Sequence, residues 1–172
     1  MNVVVFCSAQ DLPDKYTKPA REFAQLLAKE GHTLVWGGSN FGIMKVIADA
    51  AQEAGGKIIG VSMEDFKHKL RPKTDEVYVM KDLLARKAKL TKLSDVFVAL
   101  PGGVGTLDEM ANIAAQITHE QISSRLLLLN IDNFYDSIFA QLTKMTEEGF
   151  IKKPLSSIIN LVDTPEELIN QL

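Results

Sequence analysis

The stretch SDVFVALPGGVGTLDEM, residues 94–110, joins an apolar run to a glycine-rich turn and then to a helix-like segment. Asp95–Leu100 is dominated by apolar and β-branched residues, which favours a buried strand. Apolar residues at helical spacing follow over Leu107–Gln121. A strand that turns directly into a helix is the unit from which parallel sheets are built, so this stretch predicts an α/β fold.

Outward from this stretch, short apolar runs alternate with longer helical patterns along the chain. The runs are apolar throughout, which is typical of strands in a parallel sheet with helices on both faces. We therefore predict a doubly wound sheet of three layers, in a single domain of residues 1–172 without repeats or linkers. The other predicted strands are Val3–Cys7, His32–Trp36, Lys57–Val61, Leu126–Asn130 and Ile158–Val162.

Helices are predicted between the strands from the spacing of their apolar residues. The last helix has a well-defined start, because Thr164 can cap it, Pro165 suits its first position and Glu167 completes a capping box. The predicted helices before it are Thr17–Glu30, Met44–Ala54, Lys81–Leu93, Leu107–Gln121 and Phe134–Glu148.

Composition excludes several classes of protein. The chain has 172 residues, is 46% hydrophobic and carries a net charge of −3, which argues against nucleic-acid binding. The single cysteine, Cys7, cannot form an internal disulfide, so we expect a cytoplasmic protein. The N-terminal run VVVFC is too short for a signal peptide, and no apolar stretch approaches the ~20 residues of a membrane span.

Ligands of doubly wound sheets bind beyond the carboxyl ends of the strands. Two of the loops expected there are rich in glycine, within LVWGGSNFGIM (residues 34–44) and VALPGGVGTLDEM (residues 98–110). Each precedes a predicted helix, and helix N-termini present free amides that suit phosphate. The loops in which to expect a site are Cys7–Gln10, Gly37–Met44, Ser62–Phe66, Pro101–Glu109 and Asn130–Asn133.

The two glycine-rich turns match neither common nucleotide motif. No GxxxxGK[ST] pattern is present, so a P-loop ATPase is not indicated. No GxGxxG follows the first strand, where a dinucleotide fold requires it. The alternative to phosphate binding is that both are merely tight connections between a strand and a helix.

Glu109 has two interpretations. Residues 106–109 fit the capping box T-x-x-E, in which Glu109 would only close a helix end. On a helical wheel, Leu107, Met110 and Ile117 share an apolar face, and Glu109 lies on a different, mixed face. That mixed face could line a pocket or a subunit contact.

Arg86 is unusual because it falls within an apolar stripe formed by Leu83, Leu90 and Leu93. An arginine in a buried stripe needs an anionic partner or a route to solvent. The alternative is that Arg86 extends along the edge of the helix into water, with Lys87 beside it as a surface charge.

Other reactive residues carry weaker signals. His32, His68 and His119 show no metal-binding spacing, so no metal site is predicted. Cys7 ends a strand without an identifiable base, which makes it a poor nucleophile. Ser8, at the carboxyl end of the first strand, could donate to a ligand oxygen or cap a helix.

Arg86-Lys87 followed by SDVFVALPGGVGTLDE closely resembles the signature RK…PGGxGTxxE of the LONELY GUY (LOG) family, including the spacing between its two parts. These proteins are cytokinin riboside 5'-monophosphate phosphoribohydrolases, many of them labelled lysine decarboxylase-like. The similarity extends over nearly the whole chain. FCSA, residues 6–9, resembles the family's CGS element, and GGSNFGIM, residues 37–44, resembles its GGGxxGLM turn.

The resemblance implies a Rossmann-like homodimer that acts as a hydrolase. The reaction would split the N-glycosidic bond of a purine nucleoside 5'-monophosphate, such as AMP or a cytokinin nucleotide, into free base and ribose 5-phosphate. It would need no cofactor and no metal. A carboxylate can stabilise the oxocarbenium-like sugar of such a reaction and orient or deprotonate water. An arginine can bind phosphate or balance the carboxylate.

By matching positions, the resemblance makes Arg86 and Glu109 the catalytic pair. The chain departs from the family in the helix after the motif, where Asn112 and Gln116 replace a glutamate and a tryptophan. The residues implied to bind the substrate or its phosphate are Ser8, Gly38, Gly42, Met44, Lys87, Gly102, Gly103, Val104, Gly105 and Thr106.

Two other functions compete with hydrolysis. A nucleotide-binding or carrier protein could keep the phosphate site without cleaving the ligand, because folds are reused for different functions. A decarboxylase would need pyridoxal phosphate held by a lysine, and the sequence shows no sign of such a site beyond its many lysines.

Overall fold

The structure is a computed structural model that describes residues 1–172. Its centre is a sheet of seven strands, all of them parallel. In chain order the strands are β1 (Asn2–Phe6), β2 (Thr33–Trp36), β3 (Ile58–Met63), β4 (Glu76–Met80), β5 (Val96–Ala99), β6 (Leu126–Leu129) and β7 (Ile159–Val162).

Six helices cover the two faces of the sheet. None of them has both the length and the apolar character that crossing a membrane requires. Short 3-10 turns lie at Glu64–Lys69, Ile131–Asn133 and Leu155–Ser157. The helices are α1 (Asp14–Lys29), α2 (Gly42–Glu53), α3 (Leu83–Leu93), α4 (Val104–Thr118), α5 (Asp136–Glu147) and α6 (Pro165–Asn170).

The strand order explains where a ligand can enter. Across the sheet the strands run β4-β3-β2-β1-β5-β6-β7. The chain therefore builds outward from β1 to β4, returns to the centre, and builds outward again from β5 to β7. The carboxyl ends of β1 and β5 diverge into loops on opposite faces, which makes this position the switch point of the sheet.

The apolar strands separate two hydrophobic clusters. Val3 and Val5 face α1, α2 and α6, whereas Val4 and Phe6 face α3, α4 and α5. Both faces of the central strands are thus buried. This is the physical reason why these strands are apolar throughout rather than alternating with polar residues.

The predicted fold class is confirmed, as a Rossmann-like doubly wound sheet in three layers. All six predicted strands are present within two residues of their predicted bounds. Strand β4 was missed because it lies at the edge of the sheet, where its residues are only partly buried and Glu76 pairs with Lys57 at the surface. The predicted cap of the last helix is also present, since the Glu167 N–H donates to Thr164 Oγ1.

Candidate active site

A cavity of about 350 Å³ opens at the carboxyl ends of β1, β2, β3 and β5, beside the switch point. Its volume falls within the range of small-molecule sites. Residues from four of the five loops predicted to carry a site line this cavity, and none from Asn130–Asn133 does. In that fifth loop, Asn130 accepts from the Tyr135 N–H and donates to Asp136, and these contacts hold the start of α5.

Arg86 and Glu109 form a buried ion pair in the wall of this cavity. Nη1 of Arg86 donates to Oε1 of Glu109 at 2.6 Å, and Nε of Arg86 donates to the Val61 carbonyl at 2.9 Å. The side chains are 11% and 7% exposed, respectively. The expectation that Arg86 needs an anionic partner is confirmed, and the alternative of a solvent-exposed side chain is wrong.

Burial and charge act in opposite directions on Glu109. Burial raises the pKa of its carboxyl group above the ordinary value, while the adjacent Arg86 guanidinium lowers that pKa. The same surroundings raise the pKa of the buried Cys7 thiol, chiefly through burial and then through the negative charge of Glu109. Cys7 therefore lines the cavity as a protonated thiol, which agrees with the prediction that it is a poor nucleophile.

Helix α4 begins earlier than predicted, and this changes the interpretation of Glu109. Its N-cap is Gly103 and its first residue is Val104, so Thr106 lies inside the first turn rather than at the cap. The capping-box interpretation of Glu109 is therefore wrong. The faces predicted from the helical wheel are also wrong. Glu109 lies on the buried face of α4 with Met110, whereas Leu107, which was predicted on the apolar face, is 44% exposed.

The start of α4 offers free backbone donors to the cavity. The amides of Val104, Gly105 and Thr106 precede the first intrahelical hydrogen bond, and they donate to no other group of the protein. Nothing in the protein would contact a Cβ added at Gly103 or Gly105, whereas a Cβ at Gly102 would collide with the Thr106 side chain. An anion can therefore approach the backbone closely at Gly103 and Gly105, whereas Gly102 is needed for close packing against Thr106.

The glycines after β2 allow neighbouring segments of the chain to pack closely around the cavity. A Cβ at Gly37 would lie 2.9 Å from Nη2 of Arg86. Gly38 has a φ of +75° and packs against Leu70, and Gly42 has a φ of +57° and packs against the backbone of Ala9. The two glycines singled out from the sequence, Gly38 and Gly42, therefore hold neighbouring loops together rather than line the cavity.

The structure separates the sequence-predicted residues into two groups. Among those outside the cavity, Lys87 pairs with Asp108 at 3.0 Å, and Val104 is 83% exposed. The predicted residues that line the cavity are Ser8, Met44, Arg86, Gly103, Gly105, Thr106 and Glu109, and those that do not are Gly38, Gly42, Lys87, Gly102 and Val104.

Several cavity residues were not singled out from the sequence. Four of them lie in loops that were predicted to carry a site because they follow strands, but nothing in their residue types distinguished them: Gly37, Ser39, Ser62 and Phe66. Lys69 lies outside those loops. It reaches the cavity because its segment pairs with the turn after β2, a contact between distant parts of the chain that no local pattern encodes.

Comparison with known proteins gives consistent matches. A family model described as "Possible lysine decarboxylase" matches residues 44–172. The chain is 35% identical over 173 residues to the probable cytokinin riboside 5'-monophosphate phosphoribohydrolase LOGL2 of Oryza sativa subsp. japonica, covering 99% of this chain and 71% of that protein. It is 34% identical over 176 residues to the cytokinin riboside 5'-monophosphate phosphoribohydrolase LOG3 of Arabidopsis thaliana, covering 99% and 80%.

Solved structures share the fold. The molybdenum cofactor binding protein of Rippkaea orientalis superposes with a TM-score of 0.67 at 28% identity, covering 99% of this chain and 92% of that chain. The Moco carrier protein of Chlamydomonas reinhardtii superposes with a TM-score of 0.73 at 22% identity, covering 99% and 93%.

The parallel sheet and the cavity at its switch point define a Rossmann-like α/β protein, with the cavity where such sheets usually bind their ligands. The match to the family model and the identity to relatives over nearly the whole chain identify the family within this class. The chain belongs to the LONELY GUY (LOG) family.

Proposed function

We propose that this protein hydrolyses the N-glycosidic bond of a purine nucleoside 5'-monophosphate, releasing the free base and ribose 5-phosphate. The observation that carries the proposal is the buried Arg86–Glu109 pair, which lies in one cavity with the free amides of the α4 start. A phosphate site and a carboxylate suited to a cationic transition state are the two parts that this reaction needs. The names of the relatives LOGL2 and LOG3 agree with this reaction.

The phosphate would bind at the start of α4. The three free amides of the first turn and the positive end of the helix dipole favour a dianion there. The Thr106 hydroxyl and the Ser8 side chain face the same cavity and can complete the set of donors. With its phosphate held in this way, the sugar is carried towards the buried pair at a fixed orientation.

The Arg86–Glu109 pair would act on the sugar. As the bond from C1' to the base breaks, the base takes the bonding electrons and the sugar becomes oxocarbenium-like. The Glu109 carboxylate stabilises that positive charge and accepts a proton from the water that adds to C1'. That proton then passes to the departing base, directly or through water, which completes the free base and regenerates the carboxylate. Arg86 opposes the effect of burial by lowering the pKa of the carboxyl group, which favours its ionised form, and it fixes the position of its oxygens.

We also propose that the protein is a homodimer that associates through α4. Val104, Leu107, Ala111 and Ala115 are exposed and recur at spacings of three and four residues, so they form one apolar stripe on the outer face of this helix. We call these four residues the α4 outer stripe. A second copy of the chain can cover such a stripe by two-fold symmetry.

A carrier function is the second candidate. It is favoured by the likeness to the molybdenum cofactor binding protein of Rippkaea orientalis, at 28% identity over 99% of this chain. A carrier would use the same α4 start to hold a phosphate of its ligand and would leave that ligand intact.

Incubation with nucleoside 5'-monophosphates separates the two functions. We expect chromatography to show free base and ribose 5-phosphate in equal amounts from at least one purine nucleotide. A folded protein that binds nucleotides but releases no base from any of them would contradict hydrolysis and favour the carrier.

A further inference from the structure

The loop after β6 lies outside the cavity, but it contacts the backbone from which the glycine-rich turn before α4 begins. We call residues 130–135 the β6 loop and residues 101–103 the glycine turn. Tyr135, at the end of the β6 loop, is buried, and its hydroxyl donates to the Leu100 carbonyl at 2.6 Å. Burial raises the pKa of this hydroxyl, so it stays protonated and remains a donor.

The Leu100 carbonyl is the last anchored backbone group before the glycine turn. The Leu100 N–H donates to a carbonyl of β1, but no backbone N–H donates to the Leu100 carbonyl, so Tyr135 is its hydrogen-bond partner. Pro101 has no N–H, and the amides of Gly102 and Gly103 donate to no group of the protein. The orientation of the peptide between Leu100 and Pro101 therefore sets the direction in which the glycine turn leaves the sheet.

The β6 loop has a strained backbone. Asp132 and Asn133 are consecutive residues with φ values of +54° and +57°, in the left-handed region that residues with a side chain rarely adopt. Strain of this kind persists only where surrounding contacts hold it, and it concentrates near functional sites. No residue of the β6 loop lines the cavity, so the hydrogen bond from Tyr135 to Leu100 is the connection between this strained loop and the site.

Three contacts hold the β6 loop in this conformation. Oδ1 of Asn130 accepts from the Tyr135 N–H at 2.8 Å, and Lys15 of α1 forms an ion pair with Asp132 at 2.6 Å. The Phe134 ring packs edge-on against the Tyr135 ring, with a centroid distance of 5.1 Å. The Tyr135 hydroxyl therefore reaches the start of the glycine turn from a backbone and a ring that are both fixed.

We infer that Tyr135 is a positioning residue for the phosphate site and acts through the Leu100 carbonyl. This inference rests on the proposed function, in which the free amides at the start of α4 bind the phosphate. The Tyr135 hydroxyl fixes the glycine turn at its beginning, and the Leu107 N–H fixes it at its end by donating to the Gly103 carbonyl. Without that hydroxyl the buried Leu100 carbonyl has no partner and reorients, so the amides no longer converge on one phosphate.

The test measures ribose 5-phosphate binding by calorimetry in Tyr135→Phe, which removes the hydroxyl and keeps the ring. We expect the Kd to rise about tenfold, because hydrogen bonds to a charged group lose their alignment. Asn130→Ala frees the Tyr135 backbone and should weaken binding in the same direction. Tyr78→Phe is the matched control, since it removes a tyrosine hydroxyl that donates to Glu76 at the edge of the sheet, and it should leave the Kd unchanged. Thermal unfolding shows that each variant is folded.

Steady-state base release separates positioning of the phosphate from a general structural role. With a purine nucleotide that the wild type cleaves, Tyr135→Phe should raise KM about tenfold and leave kcat close to the wild-type value, because a weaker phosphate site loses binding that is common to substrate and transition state. A disturbance of the whole cavity would also displace the Arg86–Glu109 pair and lower kcat. Unchanged ribose 5-phosphate affinity in folded Tyr135→Phe, or a fall in kcat as large as the rise in KM, would overturn the inference.

The binding assay does not depend on hydrolysis, so failure of the inference and failure of the proposed function are distinguishable. Weaker ribose 5-phosphate binding by Tyr135→Phe, in a protein whose wild type releases no base from any purine nucleotide, supports the positioning role and overturns hydrolysis. Base release by the wild type together with normal binding by Tyr135→Phe overturns the positioning role and supports hydrolysis. A wild type that does not bind ribose 5-phosphate overturns the phosphate site on which both rest.

Discussion

Gly37 shows how closely the backbone approaches the proposed reacting groups. A Cβ at this position would lie 2.9 Å from Nη2 of Arg86 and 3.0 Å from Sδ of Met44. The guanidinium cannot simply retreat, because its other nitrogens already donate to Val61 and Glu109. The Arg86–Glu109 ion pair can therefore adopt its observed geometry only because residue 37 has no side chain.

Gly37→Ala should displace the Arg86 guanidinium and with it the Glu109 carboxylate. We expect base release to fall roughly 10- to 100-fold, because small misplacements of catalytic groups are costly. The φ of Gly37 lies outside the left-handed region, so the backbone itself accepts alanine, and thermal unfolding run in parallel checks that the variant stays folded. Undiminished base release in a variant of normal melting temperature would show that the arginine position does not matter.

Residue-scale prediction succeeded where a residue conflicted with its surroundings. The position of Arg86 in an apolar stripe predicted an anionic partner, and in the structure that partner is Glu109. It failed where the outcome depended on contacts between distant segments. The capping-box interpretation assumed that α4 starts near Thr106, but the turn lets the helix start at Val104, and no local propensity distinguishes the two.

At the scale of elements, Gly42 joins the start of α2 to the loop after β1. Its φ is +57°, and a Cβ there would overlap the backbone of Ala9 and Gln10. The Met44 N–H donates to the Ser8 carbonyl at 3.1 Å, which fixes the same contact. Ser8 and Met44 therefore reach the cavity because these two elements lie unusually close.

Gly42→Ala should separate those elements, and Gly55→Ala is its matched control. Both glycines have positive φ, but nothing lies within 4 Å of a Cβ at Gly55. Alanine strains the backbone in both variants and lowers the free energy of unfolding. The decrease should be about 1–3 kcal/mol larger for Gly42→Ala, because its Cβ also overlaps neighbouring backbone. Urea denaturation measures the difference, and equal losses would contradict a tight packing role for Gly42.

Element-scale prediction was most reliable in the centre of the sheet. The strands β1 and β5 are buried on both faces, so their continuous apolar runs are unambiguous. The edge strand β4 carries Glu76 and an exposed Val77, and its sequence therefore lacks that pattern. The order of the strands across the sheet is set by crossovers between distant segments, which hydrophobic periodicity does not report.

At the scale of the whole molecule, the α4 outer stripe is the feature that should govern assembly. We expect light scattering at micromolar concentration to give about twice the chain mass of 19.0 kDa. Ala111→Glu places a charge in the middle of the stripe and should shift the protein to monomers. Gln141→Glu adds the same group at an exposed position of α5 and should leave the dimer intact. A monomeric wild type, or a dimer unaffected by Ala111→Glu, would contradict association through α4.

The central proposal, that the Glu109 carboxylate drives hydrolysis, is tested most directly by base release from purine nucleoside 5'-monophosphates by wild type and Glu109→Gln. Glutamine keeps the size of the side chain and can still accept from Arg86, but it cannot balance a cationic sugar or take a proton from water. We expect the wild type to release base and the variant to be slower by a factor of about 100 or more, with thermal unfolding run in parallel to show that it stays folded. Base release that survives intact in folded Glu109→Gln would contradict the proposal.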